Sequence, residues 1–199
     1  MLAIDAPLGW PDDFVEAITA HHGFAGWPPG ARRRDLRHRA TDAHVAALEI
    51  GVRPLSVSSD LIGVVAMRAA HLLHELSARR GRPLTRDGSD DVYEVYPAAA
   101  LRAWGLLARR GERYKGGPAG DAATRAVRRR ILGALGGFGG VTLEPGLVEA
   151  AAASDDVLDA AVSALVGVEA LAGRTEGPPP ELAARAAREG WIHVPRGPL

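Results

Sequence analysis

The chain has 199 residues and a mass of 20.9 kDa, with 47 % hydrophobic and 24 % charged residues; this fits one soluble globular domain and excludes a disordered, collagen-like or coiled-coil chain. Lys plus Arg and Asp plus Glu both number 24, so no global positive field recruits nucleic acid or an anionic membrane, and a polyanion must be gripped locally. The absence of cysteine excludes disulfides and thiol catalysis and makes a cytoplasmic location the expectation.

Short strands separated by amphipathic helices give the rhythm of an α/β domain. Leu2-Ala3-Ile4-Asp5 reads as a buried strand ending at a carboxylate, followed by a turn at Pro7-Leu8-Gly9, and Asp5 stands where a signal peptide would need its apolar run. A helix is predicted from Pro11 to about His22, with Pro in its first turn and Asp12, Asp13 and Glu16 near its positive end. Gly23 to Arg39, rich in Gly and Pro and carrying Arg32-Arg33-Arg34, reads as a long loop. Thr41 or Asp42 is expected to cap a short helix through Glu49, and Asp60 a longer one to Arg80. In the longer helix, Leu61, Val64, Val65, Leu72, Leu73 and Leu76 recur at helical spacing and should pack on a sheet.

Val92 to Tyr96 has the β-branched and aromatic content of a strand, closed by Pro97, and Ala98 to Trp104 follows as a short helix. After Gly116-Gly117-Pro118, a helix from about Asp121 to Leu135 shows Arg125, Arg128 and Arg129 on one face and ends at the glycine run 136–140. The last long helix spans Ser154 to Leu171. Its run Ala160 to Val168 stops at Glu169, short of the roughly 18 to 20 apolar residues of a membrane span. A turn-rich stretch from Gly173 to Pro180, a helix to Arg188 and an extended piece at Trp191 to Val194 follow.

Four acids stand out by context. Asp5 sits at a strand's C-terminal end, where α/β folds present ligand-contacting groups, although it can equally open the Pro-containing turn. Glu94 lies within a strand whose period-two alternation separates Val92, Glu94 and Tyr96 from Tyr93 and Val95; a solvent-facing charge on an edge strand is the alternative. Asp155 and Asp156 complement a helix N-terminus, but Asp159 falls a turn deeper on a helix with no other charge until Glu169, so it needs water or a cation. Asp156 and Asp159 share a face at i, i+3 and can together serve a hard cation. If Asp5, Glu94, Asp156 and Asp159 meet, their repulsion calls for Mg²⁺ or Mn²⁺, one ion generating a hydroxide and a second, about 3.5 to 4 Å away, stabilising the leaving oxygen. Lys115 is the single lysine among 24 basic residues.

Seven blocks in order carry a resemblance: Ile4-Asp5-Ala6-Pro7-Leu8-Gly9-Trp10-Pro11, Arg39-Ala40-Thr41-Asp42, Pro54-Leu55-Ser56-Val57, Tyr93 to Leu101, Tyr114-Lys115, Asp155 to Ala160 and Glu189 to Pro195. The chain resembles domain of unknown function family 429 (DUF429), whose members are predicted nucleases with a ribonuclease H-like fold. The resemblance implies a single α/β domain, a ribonuclease H-like mixed β-sheet flanked by helices, in which Asp5, Glu94, Asp156 and Asp159 are catalytic metal ligands for Mg²⁺ or Mn²⁺. It implies a phosphate contact at Lys115, with DNA or RNA as partner; Arg39 with Thr41 and Asp42 reads equally as a substrate-positioning group or as a helix cap with a salt bridge. It also implies an additional N-terminal β-hairpin bearing another metal-site aspartate. The present sequence opens at the later Ile-Asp strand, so the expectation is either a start assigned too late or a degenerate member without catalysis, and an exposed apolar strand edge favours the former.

The arginine runs 32–34 with Arg37, and Arg125 with 128–130, read as phosphate contacts or as solvated faces. The histidines lack zinc-ligand spacing, and Trp10, Trp27, Trp104 and Trp191 offer base stacking or core packing. The expected activity is metal-dependent phosphodiester hydrolysis of nucleic acid. The alternatives are a non-catalytic binding or regulatory module of the same fold, and hydrolysis of a small phosphorylated metabolite, which suits a neutral surface.

Overall fold

The structure, a computed structural model, describes residues 1–28, 30–107, 111–116 and 121–199; Gly117 and Pro118 of the predicted turn lie outside them. The protein is mixed α/β and mostly helical. Strand β1 (Leu2–Ile4) pairs in parallel with β2 (Val92–Glu94), Ile4 opposite Glu94, and Glu94 continues the pairing through a parallel bridge to Ile192. A separate antiparallel pair joins β3 (Thr175–Glu176) to β4 (Val194–Pro195).

The alternation read in β2 governs the layering. Val92 faces the same way as Leu2 and Ile4, against Ala69 and Leu73 of α4 (Gly63–Arg80). Tyr93, Val95 and Ala3 face the opposite way, into a core built from α5 (Pro97–Ala103), α6 (Ala122–Leu135), α7 (Pro145–Ala153) and α8 (Asp155–Leu171). Helix α8 packs tightly on β1: a side chain added at Gly167 would come within 3.1 Å of Ala3 Cβ, so glycine at that point permits the close approach. Ser154 caps α8 by accepting the Val157 N–H, with Asp155 and Asp156 in the first turn.

Several expectations give way to tertiary structure. Helix α1 (Asp12–His22) forms as predicted, but the segment read as a long loop contains a helical turn, α2 (Arg33–Arg37), secured by Arg32 Nε donating to Asp35 Oδ2 at 2.6 Å. Helix α3 (Ala40–Ala47) starts at Arg39 rather than at a capping hydroxyl, because Asp42 reaches back to accept the Arg39 N–H, while the Thr41 hydroxyl accepts the Ile192 N–H instead. Asp60 does not cap α4; its carboxylate accepts the Ser56 N–H at 2.7 Å.

The apolar stripe of α4 is only partly buried. Ala66, Ala69 and Leu73 face inward, whereas Leu61 is 94 % exposed and Val64, Val65 and Leu72 are exposed too. The two-stranded sheet is too narrow to cover that stripe. Helix α7, absent from the sequence reading, begins with Pro145 at its first position and runs through alanines that fill the core. Among the described residues, no helix is long and apolar enough to cross a membrane. The last helix, α9 (Ala183–Glu189), precedes the extended segment that returns to the parallel strands.

Candidate active site

The parallel strands β1 and β2 run out at the same edge, so Asp5, Glu94 and Tyr96 emerge together at their C-terminal ends, the side on which open α/β sheets receive ligands. A cavity of about 340 Å³ opens there, and its lining includes Asp5, Tyr96, Lys115, Leu55, Ile62 and Val65. Its residues come from elements far apart in the chain, as the sequence argument required.

One wall is a buried ionic frame. Arg39 Nη2 and Nη1 donate to Glu94 Oε1 and Oε2 at 2.7 and 2.8 Å, Nη2 and Nε donate to Asp42 at 2.9 and 3.2 Å, and Nη1 also donates to the Glu189 carbonyl at 3.1 Å. All five guanidinium donors are thereby used. Glu94 Oε2 accepts the Leu8 N–H as well, at 2.9 Å. Burial pushes the Glu94 carboxyl above the usual carboxylate range, against the pull of Arg39. Burial also works against the Arg39 charge, but Glu94 and Asp42 more than offset it and keep the guanidinium protonated.

A second cluster is built around Asp159. Lys115 Nζ pairs with Asp159 Oδ2, and the Tyr114 hydroxyl donates to Asp159 Oδ1 at 2.9 Å. Asp159 is almost fully buried and Lys115 about half exposed. Burial pushes the Asp159 carboxyl up, opposed by Lys115 and Tyr114. Burial opposes the Lys115 charge too, yet its bond to Asp159 and the charges of Asp159 and Asp5 hold it above the ordinary lysine range. Tyr114 is pushed far above the usual phenol range by burial and by Asp159, so it remains a donor.

Asp5 differs from the other carboxylates. It keeps solvent contact and accepts no hydrogen bond through its carboxylate among the described residues. The protein crowded around it nevertheless pushes its carboxyl up to about 6; Lys115 pulls it down, while Asp159, Glu94 and Asp156 push it further up. Asp5 thus feels each of the other three acids singled out in the sequence. Asp156 itself is exposed at the start of α8.

Of the expected site residues, the fold therefore gathers Asp5, Lys115 and Asp159 into one electrostatic cluster, sets Glu94 on the adjoining wall and leaves Asp156 outermost. Arg39 and Asp42 line the cavity, but their polar atoms are engaged within the frame. Among the described residues no group of three or more His, Asp or Glu is close enough to hold a metal ion.

Four contributors escaped the sequence reading. Tyr114 and Tyr96 were quoted only as parts of motifs, yet one holds Asp159 and the other lines the cavity. Glu189, fully buried, accepts the N–H groups of Asp12 and Ala40 at 2.7 Å each and so anchors the first turns of α1 and α3. Arg128, expected on a phosphate-binding face, is buried instead. It donates to the carbonyls of Ala152, Ala153 and Tyr114, tying the Tyr114-Lys115 segment to the C-terminal end of α7. The sequence separates neither from its charged neighbours: Arg128 stands with Arg125 and Arg129, and Glu189 has Arg185 four residues before it, which donates to it at 2.7 Å.

Among the other arginines, Arg37 donates to the Ser59 hydroxyl at 3.0 Å and lies 3.8 Å from Asp60, Arg129 pairs with Glu149 at 3.0 Å and Arg130 with Glu112 at 2.6 Å. Trp104 and Trp191 are core residues, and Trp27 is half exposed.

In comparison with known proteins, the profile of one family, described as "Protein of unknown function (DUF429)", matches residues 1–184. No curated protein and no solved structure matches the chain.

Proposed function

The chain belongs to the DUF429 family, and from that premise we propose that the pocket at the ends of β1 and β2 hydrolyses phosphodiesters of nucleic acid with a divalent metal, on a ribonuclease H-like framework. One observation carries this reading: three carboxylates, those of Asp5, Asp42 and Glu94, line the pocket and a fourth, Asp159, joins it behind Lys115, against two cations, Arg39 and Lys115. Two negative charges are left over, and an anionic phosphate enters such a site readily only with a divalent cation.

The donor set fits one kind of ion. Mg²⁺ characteristically takes one or two carboxylates and completes its octahedron with waters and substrate phosphate, whereas an all-protein cage is the habit of Ca²⁺. Asp5 has free oxygens, whereas Asp159 has Oδ1 held by Tyr114 and Oδ2 by Lys115, so it is open to an ion only when Lys115 turns away. In this reading Asp5 and Asp159 hold Mg²⁺ or Mn²⁺, Asp156 adds negative potential at the rim, and Glu94 acts through the frame it makes with Arg39. The ion supplies Lewis-acid polarisation of the phosphate and a water acidified enough to attack. Lys115, turned from Asp159 to the substrate, neutralises a phosphate oxygen as charge develops on it. Water adds to phosphorus, the P–O ester bond breaks and the proton lost by the water is balanced by the one gained by the leaving alcohol.

The test is cleavage of single-stranded DNA and RNA oligonucleotides with added Mg²⁺ or Mn²⁺. Asp159→Asn should lose at least about a hundredfold in rate while keeping its fold, and chelation should abolish turnover. Unchanged cleavage by Asp159→Asn removes that residue from the mechanism. A second reading, a non-catalytic binding module, draws on the Lys115–Asp159 pair, which compensates the buried carboxylate without any metal. It expects metal or phosphate binding with no turnover.

A further inference from the structure

The two ends of the pocket differ in chemistry. Toward Lys115 lie the groups with polar capacity to spare: the Asp5 carboxylate and the Tyr96 hydroxyl, for which the structure shows no hydrogen-bond partner among the described residues, and the half-exposed Lys115 ammonium. Burial pushes the Tyr96 phenol above its ordinary range, so it stays a donor. The same lining includes Pro54, Leu55, Ile62 and Val65, an apolar wall contributed by the 54–62 loop and the start of α4. Leu55 and Val65 are 53 % and 42 % exposed, which leaves apolar surface uncovered beside the charged cluster.

We infer that this wall is a base-binding subsite, so that the pocket accepts a single unstacked nucleotide, its phosphate at Lys115 and Asp5 and its base against Leu55, Ile62 and Val65. The inference rests on the phosphodiesterase reading and names the substrate class for it. Three features argue for one nucleotide. The cavity of about 340 Å³ lies at the lower end of the roughly 300 to 1,000 Å³ typical of small-ligand sites, which suits one base and sugar and not a stacked pair. With the divalent cation offsetting the surplus negative charge, a ligand that uses the whole lining sets a phosphate at Lys115 and apolar surface on the aliphatic residues; a nucleotide offers both and a sugar phosphate only the first. Finally, a base inside a duplex cannot reach such a wall, so the substrate is a strand end or an unpaired stretch.

The wall also sets the specificity. Its side chains carry no hydrogen-bonding group, and Arg39 and Asp42, which also line the pocket, are committed to each other and to Glu94. Sequence discrimination requires hydrogen bonds to base edges, whereas every base has a face to pack. The subsite therefore takes all four bases nearly alike.

The test is calorimetric titration of the full chain with Mg²⁺ and each of the four ribonucleoside 5′-monophosphates, with ribose 5-phosphate as the base-free probe. The four nucleotides should bind within about threefold of one another and at least about tenfold more tightly than ribose 5-phosphate, the increment of one packed base. Leu55→Ser, an uncharged change at an exposed position that does not threaten folding, should remove most of that advantage and leave ribose 5-phosphate binding unchanged. Equal binding of nucleotides and ribose 5-phosphate, no binding of either, or an indifferent Leu55→Ser variant overturns the inference. Oligonucleotide cleavage separates the two ideas: turnover without a base increment overturns the subsite alone, and a base increment without turnover overturns the phosphodiesterase reading alone.

Discussion

Arg39 and Glu94 meet as a bidentate pair at 2.7 and 2.8 Å, both almost wholly buried, and through it the N-terminus of α3 is locked to the end of β2. A buried pair of this kind contributes little net stability as a whole, because desolvation consumes most of the attraction, but breaking it leaves uncompensated charge. Arg39→Ala should therefore destabilise the fold by about 3 to 5 kcal/mol, since it strands both Glu94 and Asp42. Arg39→Lys should rescue only part of this, because three ammonium donors cannot replace five guanidinium donors in fixed directions. Urea denaturation of the two variants checks both statements.

The Lys115–Asp159 pair is buried on one side only. Lys115 keeps about half its side chain in water, but Asp159 is almost wholly buried and without the ammonium retains only its hydrogen bond from Tyr114. Lys115→Met should lower stability by about 1 to 3 kcal/mol, less than the loss of Arg39. Its consequences for the site are larger. Removing the competing cation should tighten Mg²⁺ binding, while turnover falls at least about tenfold because a phosphate contact is lost. Calorimetry and oligonucleotide cleavage on the same variant should move in opposite directions; weaker Mg²⁺ binding would show that Lys115 does not compete for Asp159.

The contrast between these pairs explains what could be read in advance. Asp159 was legible because a lone carboxylate on the apolar face of α8 must find a cation, and Lys115 because it is the single lysine. Their meeting follows from Arg128, which draws the Tyr114 carbonyl to the end of α7. Arg128 looked like one more arginine on a charged face, since a residue pattern does not say which carbonyls lie across a helix junction. The α4 stripe failed for a related reason. Its periodicity indicates a helix with an apolar side, but the choice of Ala66, Ala69 and Leu73 as the inward residues depends on the width of the sheet beneath. Glu189 gives no signal because the amides it accepts, at the starts of α1 and α3, lie 177 and 149 residues away in sequence.

Asp5 gives the protein a pH dependence of definite sign. Its carboxyl titrates at about 6 in the folded protein, above the 3.8 of an unperturbed aspartate, so between these values the folded state binds more protons than the unfolded one. Stability from this group is thus fully present below the unfolded value and is lost as pH rises through about 6. Asp5→Asn should flatten that segment of the stability profile between about pH 4 and 7, measured by urea unfolding at fixed ionic strength without divalent metal. An unchanged slope would assign the titration to another group. Added Mg²⁺ should reverse the trend in the native protein, because a bound cation favours the ionised carboxylate.

Gly190 offers a test of how tightly the frame is held. It carries φ = +91° between Glu189 and Trp191, and a Cβ added there would lie 2.6 Å from Glu94 Oε2 and 3.1 Å from Arg39 Nη1. Neither atom can retreat, since each is fixed by buried hydrogen bonds. Gly190→Ala combines a backbone conformation unfavourable to side chains with a collision against an ion pair, and should destabilise by about 2 to 4 kcal/mol. Gly133→Ala is the matched control: it lies inside α6, at ordinary helical φ, with nothing within 4 Å of the added carbon. There the methyl should stabilise by about 0.5 to 1 kcal/mol through helix propensity and a less flexible unfolded chain. Opposite signs in thermal unfolding locate the strain at the Arg39–Glu94 frame; a tolerated Gly190→Ala would mean that the frame yields, and that Glu94 is free to turn toward the pocket.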